Sequence, residues 1–456
     1  MSAMTPSDGK TAERRGAGSR RSLVAAGLGN ALEWFDWTLY ATFAVYIAGN
    51  FFAPGNQTSS LLATMAVFAA AFVARPLGGV AFGRLGDRVG RKTAMVTSMA
   101  ILAGSSLVLA ILPTYAQTGV WASALLVLVR TVQGFAHGGE VGVIYTYVAE
   151  VAPPRRRGLW SSSVYMSITV GVMTATLLAT VLTSVLGRDA MMSWGWRIGF
   201  AVGGVLGLFA LWMRRNAVET EAFQSVETSA DRGAVELSPR QIAVIAARIV
   251  ALSVGINVGY YTWVTFMPSI AITRYAMSPS TAFAMSLLAQ AAVLVALPLF
   301  GYLSDTLGRK PMALAHGVAI VVLAFPIARI LGEAPWTLFA AQLLGLFAWA
   351  LMGAMYPALI AEQVPTRVRA VVVGTVASLS VAIFGGTGPY LSTWLQSIDR
   401  QWLYDVYVMG LGVVCILAAL SIRETRGVDL AEGWYNGRRE PAAPKAKSVS
   451  IPPTTI

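Results

Sequence analysis

Long apolar segments separated by short polar stretches recur along almost the whole chain. A membrane-spanning helix needs about 20 mainly apolar residues, and twelve segments of the chain meet that requirement. They lie near residues 23–50, 59–82, 94–112, 119–149, 159–186, 195–213, 241–269, 280–302, 311–331, 335–361, 370–396 and 403–422. Most of them lack the polar stripe that a helix on a soluble protein would carry. The pattern therefore predicts an all-α integral membrane protein with twelve transmembrane helices.

Composition agrees with a membrane protein and excludes several other classes. Hydrophobic residues make up 56% of the 456 residues and charged residues only 12%, about half the charged share of a soluble domain. The net charge of +12 comes from residues at the ends of apolar segments, so we expect no nucleic-acid partner. One cysteine, Cys415, and two histidines predict no disulfide, metal site or cofactor.

The distribution of Lys and Arg between loops predicts the orientation. Basic residues crowd the N-terminal tail 1–22 and the loops 83–92 and 153–157, whereas the alternate loops 51–58 and 113–118 contain none. Cytoplasmic loops carry the excess of Lys and Arg. Both termini are therefore expected in the cytoplasm, with the chain crossing the cell inner (plasma) membrane many times and contacting its lipids.

Two internal echoes indicate that the chain is a duplicated six-helix unit. The decapeptide G-R-L-G-D-R-V-G-R-K over 83–92 recurs as G-Y-L-S-D-T-L-G-R-K over 301–310, and A-E-V-A-P over 149–153 recurs as A-E-Q-V-P over 361–365. The offsets of 218 and 212 residues nearly agree. We therefore expect a disordered basic tail (1–22), a six-helix bundle (23–213), a central cytoplasmic loop (214–240), a second six-helix bundle (241–423) and a cytoplasmic tail (424–456), which we expect to be disordered from 427. Parallel repeats place a substrate site between the halves.

The repeated loop suggests a gate. Gly83 and Gly90 permit a tight turn between two helices, while Asp87 can pair with Arg91 or cap a helix N-terminus. The corresponding residues of both loops are the candidate gating residues: Asp87, Arg91, Asp305 and Arg309. The alternative is a tight turn that serves topology alone.

Ionisable side chains inside predicted spans are candidates for function. Glu33 and Asp36 are three residues apart on one helix, so both face one side and can share a polar cavity. Two neighbouring carboxylates in a low dielectric cannot both be ionised cheaply, which suits the pair to taking up and releasing a proton. The alternative is that they pair with arginines on neighbouring helices and fix the packing.

The fourth span carries further candidates. Arg130 and Gln133 share a helix face, and Glu140 lies about 15 Å further along the helix at 1.5 Å per residue, nearer the cytoplasm. An arginine can bind a carboxylate through two hydrogen bonds, which makes Arg130 and Arg75 candidate substrate ligands. Arg75 could instead extend to the cytoplasmic interface. His137 could relay protons or pack between helices.

Polar-edged aromatic residues cluster in the seventh and tenth spans. Tyr260, Tyr261, Trp263 and Tyr356, together with Asn257, could line the cavity between the halves. Tyrosine and tryptophan also mark membrane interfaces, so the two readings stay open.

Several of these motifs resemble those of a known family. The pattern G-x-x-x-D-x-x-G-R-K at 83–92 and R-x-x-Q-G at 130–134 are typical of the major facilitator superfamily. Within it, five stretches resemble the metabolite:proton symporter family: G-N-A-L-E-W-F-D-W-T-L-Y at 29–40, R-P-L-G-G at 75–79, G-G-E at 138–140, W-G-W-R-I at 194–198 and F-G-G-T at 384–387. The resemblance covers about residues 23 to 426.

The resemblance implies a proton-coupled symporter that works by alternating access, as a functional monomer, and imports a small organic acid. A dicarboxylate such as α-ketoglutarate is the first candidate; shikimate-like or aromatic acids, proline or betaine, and an exporter of the same superfamily are alternatives. The implied proton-coupling residues are Glu33, Asp36, Arg130 and Glu140. The implied substrate-binding residues are Arg75, Arg130, Gln133, Tyr40, Tyr260 and Tyr261. The chain contains no G-x-x-x-x-G-K-[ST] loop of a primary pump and no nucleophile–base pattern of an enzyme.

Overall fold

The described part of the chain is almost entirely helical. The structure is a computed structural model and describes residues 27–53, 55–89, 91–138, 141–216, 238–365, 369–428, 430, 434–435 and 438–439. Within these ranges the strands are two short ones, β1 (Trp434–Tyr435) and β2 (Arg438–Arg439), which pair antiparallel. The predicted all-α membrane fold is confirmed.

The first half of the chain forms six spans, which together are called the first bundle. Span 1 covers 27–42 and Ala44–Phe51, span 2 Gln57–Val89, span 3 Arg91–Ile111, span 4 Val120–His137 and Val141–Val151, span 5 Arg157–Ala190, and span 6 Trp196–Asn216. Short helical turns at Tyr115–Thr118, Pro154–Arg156 and Met191–Gly195 connect them.

The second half repeats this arrangement as the second bundle. Span 7 covers Pro239–Gly259, Tyr260–Phe266 and Met267–Arg274, span 8 Pro279–Leu307, span 9 Arg309–Ile330, span 10 Pro335–Gly353 and Tyr356–Glu362, span 11 Arg369–Ser380, Val381–Gly385 and Gly386–Ser397, and span 12 Gln401–Ser421. Nine helical segments of the described residues are long and apolar enough to cross a membrane, and one of them, Pro154–Trp212, contains span 5 and most of span 6. Span 3 contributes the shorter apolar helix Val96–Ile111.

Several spans change their helical geometry partway along their length. Span 1 is interrupted at Phe43, and span 4 is divided between His137 and Val141. Spans 7 and 11 each contain a π-helical segment, at Tyr260–Phe266 and Val381–Gly385. Such segments are frequent at functional sites because they redirect side chains and free backbone groups. In span 7 the segment contains both candidate tyrosines, and all of its residues are buried.

Glycines allow spans 2 and 4 to approach each other closely. A side chain at Gly134 would collide with the carbonyl of Ala71, and one at Gly138 would collide with the carbonyl of Arg75. Small residues at such contacts are the usual means of close helix packing in membranes. The contact brings the end of the first helical segment of span 4 beside Arg75.

Of the two repeated loops, the one between spans 8 and 9 turns at its second glycine. Gly308 has a φ of +113° and is the single residue between spans 8 and 9, whereas span 2 runs as a helix through Gly83 to Val89. The prediction that Gly83 helps to form the turn is therefore wrong. Its counterpart Gly301 instead packs on span 5, where an added Cβ would lie 2.7 Å from the carbonyl oxygen of Gly158.

The segment that follows span 12 differs from the predicted disordered tail. Thr425 is fully buried, and Leu430 packs against Ala149 of the first bundle and Ala361 of the second. The expectation of disorder from residue 427 is thus wrong for Val428 and Leu430, which are tied down by these contacts and by a hydrogen bond to Arg157. The predicted tail 1–22, nearly all of the loop 214–240 and Glu140 lie outside the described residues, as do Gly90 and the side chains of Asp87 and Arg91.

Candidate functional site

Asp36 lies in a hydrogen-bonded network inside the first bundle. Its carboxylate accepts a hydrogen bond from Ser106 of span 3 and one of 2.9 Å from Gln133 of span 4. Arg130 Nη1 donates to Gln133 Oε1 at 2.5 Å and lies 4.0 Å from Asp36 Oδ2. The structure therefore joins three predicted site residues, Asp36, Arg130 and Gln133, in one buried network.

Aromatic rings hold Arg130 in place. The Arg130 guanidinium carbon lies 4.2 Å from the ring centre of Tyr40 and 4.7 Å from that of Trp37, within the range of cation–π attraction. The Tyr40 hydroxyl donates to the carbonyl of Thr64 at 3.1 Å. Tyr40, implied as a substrate residue, thus supports Arg130 from within the first bundle.

Glu33, His137 and Arg75 form a second network in the same bundle. Glu33 Oε1 is paired with His137 Nδ1, and Arg75 Nη2 lies 3.2 Å from the same nitrogen. Arg75 is only 2% exposed, and its guanidinium carbon lies 4.4 Å from the ring centre of Trp37 and 4.8 Å from that of Phe72. The alternative in which Arg75 extends to the interface is therefore wrong, because the side chain is buried among these groups.

The two carboxylates line one cavity, as their spacing predicts. Glu33 and Asp36 face it from span 1, and His137 faces it from span 4. The remaining lining residues are Gly29, Leu32, Ser98, Met99, Leu102, Ala103, Ser106, Ala136, Gly203 and Gly207. Spans 3 and 6 thus contribute hydroxyls and small residues but no charge to the described lining. Both carboxylates are also paired, so the packing alternative agrees with the contacts as well.

Aromatic side chains form the contact between the two bundles beside Arg75. The ring of Tyr261, in the π-helical segment of span 7, lies 5.1 Å from that of Phe72 in span 2. Tyr260 contacts Trp34 of the first bundle at 5.5 Å and Trp349 of the second at 5.3 Å. Tyr260 and Tyr261, which were predicted as candidates for the cavity between the halves, therefore lie at the boundary between the two bundles.

Several buried donors at this boundary make no hydrogen bond to another described residue, and two of them lie near each other. They are Arg75 Nε and the hydroxyl of Tyr261, and Tyr261 is near enough to interact electrostatically with Arg75. Leaving a buried donor unsatisfied costs about 1–3 kcal/mol, more for a charged group. Such groups need an explanation, and a bound anion is one that fits a cation beside a hydroxyl.

A separate ionic network joins the two bundles at the end where the repeated loops 83–92 and 301–310 lie. We call this end of the protein the motif end. Asp305 of span 8 is 2.9 Å from Arg309, and its two oxygens each accept a 2.8 Å hydrogen bond from the backbone of span 5, from Gly158 and Leu159. Pairing and helix capping were predicted as alternatives for this loop. Asp305 does both, and the capped helix belongs to the other bundle.

The second sequence echo supplies ion pairs that cross the boundary in both directions. Arg157 of the first bundle lies 2.9 Å from Glu362 of the second, and Arg369 of the second lies 2.8 Å from Glu150 of the first. These four residues are not among the predicted site residues. The signal was the shared spacing of glutamate and arginine in the two halves.

Two similar bundles, buried ionisable residues within one of them and ion pairs between them define a membrane transporter. The chain belongs to the Major Facilitator Superfamily, whose family model matches residues 26–389.

Named relatives over nearly the whole chain are also transporters. The chain is 35% identical to the alpha-ketoglutarate permease of Escherichia coli (strain K12) over 413 residues, covering 90% of this chain and 95% of that protein. It is 32% identical to the glycine betaine/proline/ectoine/pipecolic acid transporter OusA of Dickeya dadantii (strain 3937), covering 89% and 83% of the two chains. The expectation of a transporter rather than an enzyme is confirmed.

Solved structures share the fold. The proton:xylose symporter XylE bound to 6-bromo-6-deoxy-D-glucose superimposes with a TM-score of 0.70 at 18% identity, covering 91% of this chain and 98% of that one. A partially occluded inward open form of the xylose transporter XylE from E. coli gives a TM-score of 0.67, covering 88% and 97%. At this identity the likeness concerns the arrangement of the helices.

Proposed function

We propose that the chain is a proton-coupled symporter that imports a small organic acid by alternating access, with a dicarboxylate such as α-ketoglutarate as the first candidate. The observation that carries this proposal is the pair of unsatisfied donors at the bundle boundary, Arg75 Nε and the Tyr261 hydroxyl. A carboxylate between them would accept from both. Arginine suits this role because its planar fork matches a carboxylate.

Proton coupling is assigned to the carboxylates of span 1. Glu33 and Asp36 line one cavity, and each is linked to an arginine, Glu33 through His137 to Arg75 and Asp36 directly to Arg130. A proton taken up at either carboxylate changes the electrostatic balance at its arginine. That link offers a route from protonation to substrate binding.

A dicarboxylate needs a partner for each of its two ends, because a buried anion loses its hydration. Arg75 and Tyr261 would hold one end. Arg130 also has two nitrogens, Nε and Nη2, without hydrogen-bond partners among the described residues, and Tyr260 lies beside Tyr261. The likeness to the alpha-ketoglutarate permease over 90% of this chain supports this choice of substrate.

Uptake into proteoliposomes tests the proposal. Radiolabelled α-ketoglutarate, shikimate, benzoate, proline and glycine betaine would each be offered with an inward proton gradient, with and without a protonophore. We expect uphill accumulation of α-ketoglutarate that the protonophore abolishes. Accumulation that ignores the protonophore would remove proton coupling, and transport of none of the acids would remove the acid assignment.

A zwitterionic osmolyte is the second candidate, because aromatic rings crowd the bundle boundary. Tyr165 lies 5.2 Å and Tyr260 lies 5.3 Å from Trp349, ring centre to ring centre. Aromatic faces attract quaternary ammonium groups, and betaine carries one such group and one carboxylate. Transport of glycine betaine without α-ketoglutarate, lost in Trp349→Ala, would favour this candidate.

The repeated loops are assigned to gating of the motif end. Asp305 accepts hydrogen bonds from span 5 of the first bundle and is itself paired with Arg309, and the repeat assigns the same roles to Asp87 and Arg91. These contacts must break when the motif end opens. The loops therefore favour the state in which this end is closed.

Substitution of the loop aspartates tests the gate. Asp305→Asn and Asp87→Asn should slow turnover more than they weaken substrate binding, because both positions lie near the ends of spans 8 and 2 at the motif end, away from Arg75. Turnover and dissociation constant would be measured on the same preparations. Unchanged turnover with a raised dissociation constant would contradict a gating role.

The orientation assignment places the motif end and both termini in the cytoplasm and the chain in the inner membrane as a functional monomer. The basic loops support this orientation. The proposed domains are the two bundles over 23–213 and 241–423, the tails at 1–22 and 424–456 and the central loop at 214–240. Labelling of a cysteine placed in each tail by a membrane-impermeant reagent, in intact and in opened cells, tests the orientation.

A further inference from the structure

His137 lies between the proposed proton site and the proposed substrate site. Its Nδ1 atom is paired with Glu33 Oε1 and lies 3.2 Å from Arg75 Nη2. The imidazole is 2% exposed and stacks edge-on against Trp37, with 5.0 Å between ring centres. One nitrogen of one side chain therefore faces a carboxylate and a guanidinium at once.

A ring nitrogen cannot serve both neighbours in the same protonation state. It has a single in-plane position, which is either an N–H that donates or a lone pair that accepts. When Nδ1 carries a proton, it donates that proton to Glu33 Oε1, and the proton occupies the position. Arg75, which can only donate, then has no acceptor at His137.

Loss of that proton allows Arg75 to bind to the Glu33–His137 pair. Nδ1 then presents a lone pair and Glu33 presents a full negative charge, and both accept from Arg75. The guanidinium is held toward the pair and away from the bundle boundary. The same argument applies if the other ring nitrogen occupies this position, because each nitrogen has one in-plane site.

We propose that His137 couples the proton to the substrate: a proton shared by Glu33 and His137 releases Arg75 to bind the substrate carboxylate, and loss of that proton returns Arg75 to the pair. This inference rests on the proposed function, and it assigns His137 as a positioning residue that acts through Arg75. The proton enters from the aqueous side that supplies the substrate and leaves on the other side. Because binding effects are reciprocal, the bound substrate must raise the affinity for the proton to the same extent.

The other charged groups around His137 have separate partners. On span 1, Asp36 is held by Ser106, Gln133 and Arg130. On span 4 itself, Arg130 donates to Gln133, and the hydroxyl of Tyr145, which is near Arg75, lies 3.4 Å from that of Tyr165. Spans 3 and 6 bring no charged group to the described lining of the cavity, and across the boundary the titratable neighbour of Arg75 is Tyr261. Glu33, His137 and Arg75 therefore form the unit that responds to the proton.

The chain provides a matched control for this role. It contains two histidines, and His316 is also buried, in span 9 of the second bundle, with Nδ1 2.7 Å from the carbonyl of Ala348. His316→Asn removes an imidazole of equal burial that is remote from Glu33 and Arg75. His137→Asn keeps an amide in place but cannot carry the exchanged proton.

Binding of radiolabelled α-ketoglutarate to purified protein between pH 6 and 8 tests the inference. One linked proton makes wild-type affinity fall by up to about tenfold per pH unit as the pH rises. We expect a flat profile in His137→Asn and His137→Gln, and the wild-type slope in His316→Asn. In Glu33→Gln the affinity should stay, across this pH range, near the value that the wild type has at low pH. The amide cannot hold Arg75 as a carboxylate does.

A spectroscopic measurement separates coupling from a folding defect. Histidine ¹⁵N spectra of His316→Asn contain the His137 signal alone, and added α-ketoglutarate should shift it, because Arg75 leaves the ring nitrogen. The His316 signal in His137→Asn should stay unchanged. The inference would be overturned if His137→Asn kept the wild-type slope of affinity against pH, or if added α-ketoglutarate left the His137 signal unshifted. The proposed function would still stand in that case if the wild type showed proton-driven uptake. Absence of proton-driven uptake in the wild type would overturn both.

Discussion

Arg157 and Glu362 form an ion pair that joins the two bundles, with 2.9 Å between Nη1 and Oε1. Both side chains are buried, and Arg157 also donates to the carbonyls of Ala149 in its own bundle and Val428 beyond span 12. Arg369, the corresponding arginine of the second bundle, repeats this geometry by donating to the carbonyl of Ala361. Each arginine therefore ties down the end of its own bundle and reaches a glutamate of the other.

Removal of the Glu362 charge should favour the state in which the motif end is open. Glu362 also pairs with Arg309 at 3.4 Å, so Glu362→Gln weakens two buried contacts. Breaking one buried ion pair costs about 3–5 kcal/mol, or roughly 100-fold or more in a conformational equilibrium at about 1.4 kcal/mol per decade. Spin labels at Arg155→Cys and Thr306→Cys, in a Cys415→Ala background, report the separation of the bundles as a distance distribution.

The matched control for that experiment is Glu333→Gln. Glu333 is exposed between spans 9 and 10, so its substitution should leave the distances as they are in the unsubstituted protein. An unchanged distribution in Glu362→Gln would show that the ion pairs do not hold this end closed.

Replacement of Arg75 by lysine should weaken substrate binding strongly. The ammonium group keeps the charge but loses the planar fork and the stacking on Trp37 and Phe72. Truncating one partner of a buried charged pair costs about 2–5 kcal/mol, or roughly 30-fold to several thousand-fold in the dissociation constant. Equilibrium binding of radiolabelled α-ketoglutarate measures it. Arg188→Lys, at an exposed position, is the control, and normal binding by Arg75→Lys would remove Arg75 from the site.

Replacement of Arg130 by lysine should affect proton coupling as well as substrate binding. It is paired with Asp36 and Gln133, so Arg130→Lys should impair proton-driven accumulation as well as weaken dicarboxylate binding. Uptake with a proton gradient and binding without one, measured on the same preparation, distinguish the two effects. A variant with normal binding and normal accumulation would leave Arg130 without a role in transport.

Neutralising the span 1 carboxylates should uncouple transport from protons. Glu33→Gln and Asp36→Asn should each abolish uphill accumulation, because neither amide can take up and release the proton. At least one of the two should still exchange labelled for unlabelled substrate, a process that requires no net proton movement. If both variants accumulate substrate normally, the pair has no part in coupling.

The close contact of spans 2 and 4 should tolerate no added side chain at Gly134. An alanine Cβ there would collide with the backbone carbonyl of Ala71, and forced overpacking costs typically about 1–3 kcal/mol. In Gly104→Ala the added methyl meets open space, so the helix should be unaffected or slightly stabilised. Thermal unfolding in detergent compares the two, and equal midpoints would contradict the packing argument.

Hydrophobic segments and repeated motifs predicted the architecture because they are local properties of the sequence. A run of about 20 apolar residues specifies a spanning helix wherever it occurs, and the echo of 83–92 in 301–310 reveals the duplication without coordinates. The three-residue spacing of Glu33 and Asp36 likewise places both on one helix face, and the structure finds them in one cavity. The same local logic failed at Gly83, which was expected in a turn and lies inside the helix of span 2.

Partners across helices depended on tertiary structure. Sequence offers His137 as a lone histidine in an apolar span, and only the packing of span 4 on spans 1 and 2 shows Glu33 and Arg75 at its ring nitrogen. Arg130 is likewise a candidate substrate ligand and coupling residue from the sequence, and only the fold shows that it lies beside Asp36. The physical reason is that an ionisable group in a membrane protein is defined by its neighbours from other helices, which the order of residues along the chain does not state.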